Sequence, residues 1–407
     1  MNKTIQSVVA VLMVVLVVCS LTACGFHEKR VFAEDLTAKV VKRTVETKLT
    51  DDVFRKVYNE FAAKLLKALY QDDNACISPL SIAAAFGMVT NGANGQTKEE
   101  LESLFGVDIA TLNVYFADVM SKNVDSRELH IANSLWGRSG SVTMEQSLLD
   151  IVKNNYHAQV YSANFDNQTV DDINNWVYNN TRGGIDKLLD EIHPSSELFV
   201  LNALDFEAEW QKPFEKNRIS DRQFFGTQGQ STVKMMYASE KLFIDTGKAT
   251  GFIKPYKGNR YKFAAILPNQ EVDFAEFVKS LDGDTVTAML SGVKEYSVDI
   301  GLPKFDFQNE FDLVPTLKRL GVSRAFESDA DFSALGRSVR GNLHIGGAIH
   351  KTHISVDELK IKASAVTGLD MKVESEPLTV ILDRPFVYML LDDNDLPIFI
   401  GAVTNFK

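Results

Sequence analysis

The chain has 407 residues, of which 45% are hydrophobic and 24% charged, and its 43 basic and 54 acidic side chains give a net charge of −11. This composition is that of a globular protein and excludes a disordered chain, a collagen-like repeat and a bare coiled coil. The acidic balance argues against a nucleic-acid partner, because binding to phosphates requires clusters of Lys and Arg.

The first residues have the pattern of a secretory signal. Lys3 precedes an apolar stretch from Val8 to Cys19, and Leu21-Thr22-Ala23-Cys24 follows it. A basic start, an apolar middle and small residues before the cut define such a signal. The ending resembles the bacterial lipobox, in which the Cys is lipidated and becomes the first mature residue. We therefore expect a lipoprotein signal peptide at 1–23 and a lipid on Cys24. The protein would be secreted and anchored on the outer side of the cytoplasmic membrane.

The alternative for this stretch is an uncleaved membrane anchor, although the stretch is shorter than the roughly 20 residues that span a bilayer.

Three cysteines exclude a disulfide framework. After cleavage and lipidation Cys76 would be the remaining thiol, and its apolar neighbours Ala75 and Ile77 predict a buried, inert side chain. Residues 24–49, with mixed charges and little periodicity, are predicted to be the lipidated N-terminus and a spacer.

Three helices are predicted in the next part of the chain. From Asp51 onward, apolar residues recur at helical spacing from Val53 to Leu69. A second helix is expected between Ser78-Pro79 and Asn91-Gly92, since Pro suits a first turn and Gly an end. Thr97 and Glu100 have the spacing of a capping box, which predicts that a third helix opens there.

The remainder is richer in strands. Residues 174–189 have the pattern of a helix broken at Gly183-Gly184, and 198–204 that of a buried strand. Further strands are predicted at 241–246, 261–267, 297–302, 353–357, 378–382, 386–391 and 397–402. Helices early and strands late, without βαβ alternation, indicate an α+β fold. Because nothing after residue 50 resembles a linker, we expect one large domain at 50–407.

No motif supports an enzyme. The sequence lacks a nucleophile elbow, a Walker loop, a dinucleotide-binding glycine pattern and a zinc-protease His motif. His350 and His353 could suggest a metal pair, but residues three apart on a strand face opposite sides of the sheet. Structural hydrogen bonding by one histidine is the better interpretation. We expect no cofactor and no metal.

The segment between Glu358 and Arg384 is longer than the roughly 15 residues that compact domains usually tolerate in a connection. Its first half alternates strictly, with Ile361, Ala363, Ala365, Thr367, Leu369 and Met371 on one face. Its second half is polar and ends at Pro377. The residues alone leave two alternatives open, an ordinary amphipathic strand followed by a turn or a functional loop.

A set of ordered motifs covering roughly residues 50–407 resembles the serpin family. The motifs are Ser78-Pro79-Leu80-Ser81-Ile82, Asn91-Gly92-Ala93 with Gly95, Thr97 and Glu100-Leu101, Ile173-Asn174 with Trp176-Val177, Leu201-Asn202-Ala203-Leu204 with Phe206 and Trp210, Leu302-Pro303-Lys304-Phe305, Leu320-Gly321-Val322, His350-Lys351, Asp357-Glu358, Arg384-Pro385-Phe386 and Phe399-Ile400-Gly401. The resemblance implies about nine helices, three β-sheets and an exposed reactive loop at 358–384.

The resemblance also implies a function, that of a suicide inhibitor of serine endopeptidases, chymotrypsin-like or subtilisin-like, with cysteine endopeptidases as a further class. The protease attacks the loop, and the cut loop inserts into the main sheet before the acyl-enzyme is hydrolysed. The family's spacing places the reactive bond at Glu374-Ser375. A register error would substitute Val373, which suits an elastase-like enzyme, or Lys372, which suits a trypsin-like one. We expect a monomer whose partners are the protease and, through its lipid, the membrane.

By motif match, Ser78, Ser81, Asn202 and His350 correspond to the family's shutter, the polar cluster under the sheet centre, and Trp210 to its breach, where insertion begins. The loop hinge corresponds to Glu358 and the residues after it, namely Lys360, Ile361, Lys362, Ala363, Ser364 and Ala365.

Three positions depart from the family pattern. Inhibitory members usually carry Gly and a small Thr or Ser where this chain has Lys360 and Ile361, and the family consensus has a tyrosine where this chain has Asp205. The alternative is therefore a non-inhibitory member that serves as a protease substrate or as a surface binding protein.

Overall fold

The computed structural model describes residues 27–45, 47, 51–124, 126–183, 185–358 and 378–406. The helices within these ranges are α1 Asp52–Leu69, α2 Pro79–Thr90, α3 Gly95–Phe105, α4 Ile109–Asn123, α5 Gln146–Asn155, α6 Asn167–Asn180, α7 Phe274–Ser280, α8 Gly283–Ser291 and α9 Leu313–Arg319. The strands are β1 Glu34–Asp35, β2 Ala75–Ile77, β3 Leu129–Arg138, β4 Val142–Met144, β5 Gln159–Ala163, β6 Leu198–Phe206, β7 Ile219–Gly226, β8 Gly229–Asp245, β9 Ala249–Pro255, β10 Lys262–Pro268, β11 Lys294–Pro303, β12 Phe305–Asp312, β13 Gly336–Ser338, β14 Ile349–Val356, β15 Leu378–Ile381, β16 Phe386–Leu391 and β17 Pro397–Val403.

The described strands form four hydrogen-bonded sets. The first has the order β1-β5-β3-β6, and the second runs β15-β11-β8-β9-β10-β16-β17-β2, with β7 also paired to β8. The third is β12-β14 and the fourth β4-β13. This α+β architecture confirms the predicted fold class. The second set is continuous because the 17-residue β8 pairs with β7 along its first half, with β11 along its middle and with β9 at its end.

The helices before β3 pack on the main core through buried apolar residues. The Asp51 side chain accepts a hydrogen bond from the Phe54 N–H and caps α1, whose buried stripe includes Phe54, Phe61 and Leu65. Val53, predicted on this stripe, is 72% exposed, so the stripe is centred one residue later than predicted. Ser78 caps α2, and Pro79 lies in its first turn as predicted.

Two helices have boundaries that differ from prediction. The capping box at Thr97 and Glu100 is wrong, because α3 begins at Gly95 after Asn94. The Thr97 hydroxyl instead accepts from the Asp331 N–H, and Glu100 accepts from two backbone N–H groups at residues 323 and 324. The helix predicted at 174–189 is α6. It begins seven residues earlier, at Asn167, after its N-cap residue Asp166, and it ends at Asn180, before a turn.

The N-terminal segment differs from the predicted spacer, because residues 29–43 are bound to the body. The Asp172 carboxylate of α6, 2% exposed, accepts from the Phe32 and Ala33 N–H groups at 3.0 and 2.9 Å. β1 pairs with β5, and the Arg43 N–H donates to the Asn154 Oδ1 at 2.6 Å. A buried carboxylate requires donors, and this segment supplies them.

No single helix in the described residues is long and apolar enough to cross a membrane. The bent pair formed by α3 and α4 satisfies the length and composition criteria, but its residues Leu101, Leu104 and Phe116 are packed in the core.

Candidate functional site: a groove between two unpaired strand edges

A groove of about 410 Å³ separates β6 from β14. Among the described strands β6 pairs with β3 alone and β14 with β12 alone, so both strands present a free edge to the groove. Its floor includes Ile82 and Phe86 of α2, and its roof includes Val177 of α6 and Leu188. An unpaired edge displays a row of backbone donors and acceptors, and two such edges face this cavity.

The two edge strands run in the same direction. Trp210, four residues beyond the end of β6, donates from Nε1 to the carbonyl oxygen of Asp357, the residue after β14, at 2.9 Å. Both strands therefore end at the same end of the groove, which we call its upper end. A segment that continues from Asp357 and folds back would enter the groove antiparallel to both strands.

A polar cluster lies beneath the groove, where α2 begins. The Ser78 N–H donates to His350 Nε2 at 3.0 Å, and the Ser78 hydroxyl donates to the Ile398 carbonyl at 2.9 Å. The Ser81 N–H donates to the Ser78 hydroxyl at 3.1 Å. Three of the predicted shutter residues are thus brought together, and His350 makes the structural hydrogen bond that the sequence indicated. His353 lies on the exposed face of β14 beside Asp306, at 3.0 Å.

Asn202, the fourth predicted shutter residue, lies on the groove wall and contacts a different partner. Its Nδ2 donates to the Asn133 Oδ1 of β3 at 2.8 Å. Its Oδ1 is buried and has no hydrogen-bond partner among the described residues. Buried polar atoms are normally hydrogen-bonded. The unpaired Asn202 oxygen therefore indicates that this wall of the groove lacks one hydrogen-bond donor.

Burial lowers the pKa of His350 to about 4, so the imidazole is neutral at pH 7 and accepts the Ser78 hydrogen bond. The pKa of the unfolded chain is near 6.5, so the unfolded state binds the proton more readily and stability falls as the pH drops below that value. We expect this residue to cost the wild type about 2 kcal/mol of unfolding free energy between pH 7 and pH 5.

His350→Gln keeps an acceptor and removes the titration, so urea unfolding of the variant should show a smaller loss across that range. Burial raises the pKa of Asp392 to about 7. Asp392 titrates equally in both proteins, and the difference between their pH profiles isolates His350. Equal slopes for the two proteins would refute this assignment.

The upper end of the groove is fixed by an aromatic stack and an ion pair. Trp210, predicted at the breach, stacks on Tyr256 with ring centroids 4.3 Å apart. Glu358, predicted at the hinge, forms an ion pair with Lys304. Burial alone would raise the pKa of Glu358, but the hydrogen bond and charge of Lys304 outweigh it and hold that pKa below its ordinary value. The last described residue before the loop is therefore held in place.

A buried ion pair beside Trp210 was not anticipated from the sequence. Lys254 Nζ, fully buried, donates to Glu240 Oε1 at 2.6 Å and to the Lys212 carbonyl at 2.7 Å, and lies 4.5 Å from the Phe214 ring centroid. Burial lowers the pKa of Lys254. The signal in the sequence was a lysine inside the apolar run 251–256. The pair holds the chain after Trp210 against β9.

Several predicted residues lie outside the described ranges. They are the signal peptide 1–23, Cys24, and the loop residues Lys360, Ile361, Lys362, Ala363, Ser364, Ala365, Lys372, Val373, Glu374 and Ser375. Within the described ranges Cys76 is buried as predicted, and burial raises its pKa to about 11. A thiol in that environment is a core side chain rather than a nucleophile.

Comparisons with known proteins agree on one family. The family model described as Serpin (serine protease inhibitor) matches residues 56–406. Iripin-4 of Ixodes ricinus is 30% identical over 383 residues, which cover 88% of this chain and 96% of the relative. Human neuroserpin is 29% identical over 347 residues, 80% of this chain and 84% of the relative. The native state of the thermophilic serpin tengpin superposes with a TM-score of 0.85 at 37% identity, covering 92% of this chain and all of that one. The chain belongs to the serpin family of serine protease inhibitors.

Proposed function

We propose that this chain is a suicide inhibitor of serine endopeptidases, in which residues 361–371 insert between β6 and β14 after cleavage of the loop. The observation that carries the proposal is the groove, with two parallel strands that face each other across it and have no partner there among the described strands. Adding one strand would satisfy both edges, as in other cases of strand addition.

The alternation of the loop suits this groove. Ile361, Leu369 and Met371 share a face with the small Ala363 and Ala365. Burying the three large side chains would contribute on the order of 5 to 9 kcal/mol before any ladder hydrogen bonds. The two alanines would pass between the strands without overpacking the core. Because this burial free energy would be released only after cleavage, it would drive the distortion of the attached protease.

The reactive bond is proposed at Glu374-Ser375, with Val373 and Lys372 as register alternatives, so the test uses three proteases that prefer Glu, small apolar residues and Lys. Each is incubated with the full chain, and the mixture is boiled in detergent. A covalent complex is expected with at least one enzyme, and the mass of the released C-terminal fragment identifies the bond. A nicked chain with fully active protease in every case would refute inhibition and favour the substrate or binding-protein alternative.

We further propose that Cys24 carries a lipid and holds the protein at the outer face of a membrane, on the basis of the Leu21-Thr22-Ala23-Cys24 motif. Metabolic labelling with a palmitate analogue should mark the wild type and not a Cys24→Ser variant. Labelling of both proteins would contradict the assignment.

A further inference from the structure

A basic segment lies at the upper end of the groove, between Trp210 and β7. Its charged residues are Lys212, Glu215, Lys216 and Arg218, and all four are exposed. Three of these side chains are basic and one is acidic, whereas the whole chain carries a net charge of −11. The segment is therefore a local positive surface on an acidic protein.

The backbone of this segment is held at several points. The Lys212 carbonyl accepts a hydrogen bond from the buried Lys254 ammonium group at 2.7 Å. The Phe214 side chain is buried and packs edge-on against Trp210, with ring centroids 6.0 Å apart. A 3₁₀ turn at Lys216–Arg218 then leads into β7. Because the backbone that carries the basic side chains is ordered before a partner binds, the entropy cost of binding is reduced.

Basic residues next to the segment are neutralised, but those of the segment are not. Lys234 forms an ion pair with Asp221 at 2.7 Å, and Lys304 forms one with Glu358. The three basic residues of the segment have no ion-pair partner within the part of the chain that the structure describes. Their positive charge is therefore available to a partner.

The segment lies close to the residue at which the chain leaves β14. Burial alone would raise the pKa of Glu358, whereas the hydrogen bond and charge of Lys304 and the nearby charge of Lys216 lower it. Glu358 is the last described residue before the loop. The field of the basic segment therefore reaches the point where the loop begins.

The other end of the loop is also near the segment. Leu378, the first described residue after the loop, is the register partner of Val298 on β11, and Val298 is that of Glu240 on β8. Glu240 in turn pairs with Lys254, whose ammonium group holds the carbonyl of Lys212. Both ends of the loop thus lie beside the segment, and an enzyme that attacks the loop would come close to it.

We propose that the basic segment 212–218 is a docking surface for the attacking protease and favours enzymes whose surface beside the active site is acidic. This inference deepens the proposed function and rests on it in one respect, that a protease attacks the loop. Complementary charge acts mainly on the rate of association, because it steers the encounter. The surface would therefore select among proteases that share one cleavage specificity.

The test uses the full chain and the anionic and cationic isoforms of trypsin, which share one specificity and carry net charges of opposite sign. The measured quantity is the second-order rate constant for attack on the loop, whether the enzyme is then trapped or released. The double variant Lys212→Glu, Lys216→Glu should be attacked about three- to tenfold more slowly by the anionic isoform at low salt, and faster by the cationic one. At 1 M salt, where the screening length is about 3 Å, variant and wild type should react alike.

The double variant Lys39→Glu, Lys42→Glu is the matched control. Both residues are exposed on the N-terminal segment, which pairs with β5, and β3 separates β5 from β6. The control changes the net charge by the same amount and should leave both rate constants unchanged. Should the first double variant fail to fold, Lys216→Glu alone decides the question, with a smaller change of the same sign.

The two proposals fail in different ways. A loop that is cut by both isoforms without a covalent complex would refute inhibition, while the rate constants would still test the surface. Equal effects of the two double variants at low salt, or an equal response to both isoforms, would refute the docking surface and leave inhibition standing. A loop that neither isoform attacks would also overturn the surface, because it would then bring no protease to this end.

Discussion

A single cut between residues 372 and 377 is expected to raise the guanidinium midpoint of unfolding by about 1 M or more. The freed segment can then fill the groove between β6 and β14, where its apolar face would contribute on the order of 5 to 9 kcal/mol. New ladder hydrogen bonds on two edges would add to this. Most cuts in a protein lower or leave unchanged its stability, so the sign of the effect is diagnostic.

The measurement is equilibrium unfolding of intact and cut chains, followed by circular dichroism. The intact chain incubated under the same conditions without protease is the control. An unchanged or lower midpoint after cutting would contradict insertion and would favour a binding protein whose loop is merely cleaved.

Replacing Ile361 by lysine is expected to convert the inhibitor into a substrate. Ile361 would be the first residue of the apolar face to enter the groove, whose lining includes the buried Val356. Burying an unpaired ammonium group there costs several kcal/mol. Insertion would stall, the acyl-enzyme would be hydrolysed, and the number of inhibitor molecules consumed per protease trapped should rise more than tenfold.

Ser364→Lys is the matched control, because it introduces the same side chain at a position that the alternation of the segment assigns to the opposite face. It should trap protease as the wild type does. Titration of protease activity against each variant gives the comparison. Equal trapping by Ile361→Lys and the wild type would show that the core-facing parity of the loop is wrong.

Much of the fold could be predicted from local sequence patterns. Pro79 after Ser78 marked the start of α2, and strands with continuous apolar runs such as 386–391 were found because burial on both faces needs no alternation. The amphipathic strand β12, Phe305–Asp312, was missed, since its alternation resembles that of many surface segments. The capping box failed because Thr97 and Glu100 bind residues more than 200 positions away.

The candidate site was only partly predictable. Motif order located Ser78, His350 and Trp210, but the ion pair between Lys254 and Glu240 joins two strands whose pairing the sequence does not reveal. The docking of residues 29–43 depends on Asp172, a buried carboxylate that has no distinct signature in a helix of mixed polarity. Such long-range polar contacts require the tertiary structure.

Hydrogen exchange at the amides of β6 and β14, before and after a single cut in the loop, tests insertion most directly. About every second amide of an edge strand points away from its partner, and here those amides face the groove. After the cut, amides within 198–206 and 349–356 should gain protection together, while those of β9 and β10, already paired on both sides, should not change. Unchanged exchange at both groove strands in a fully cut chain would contradict the inserted strand.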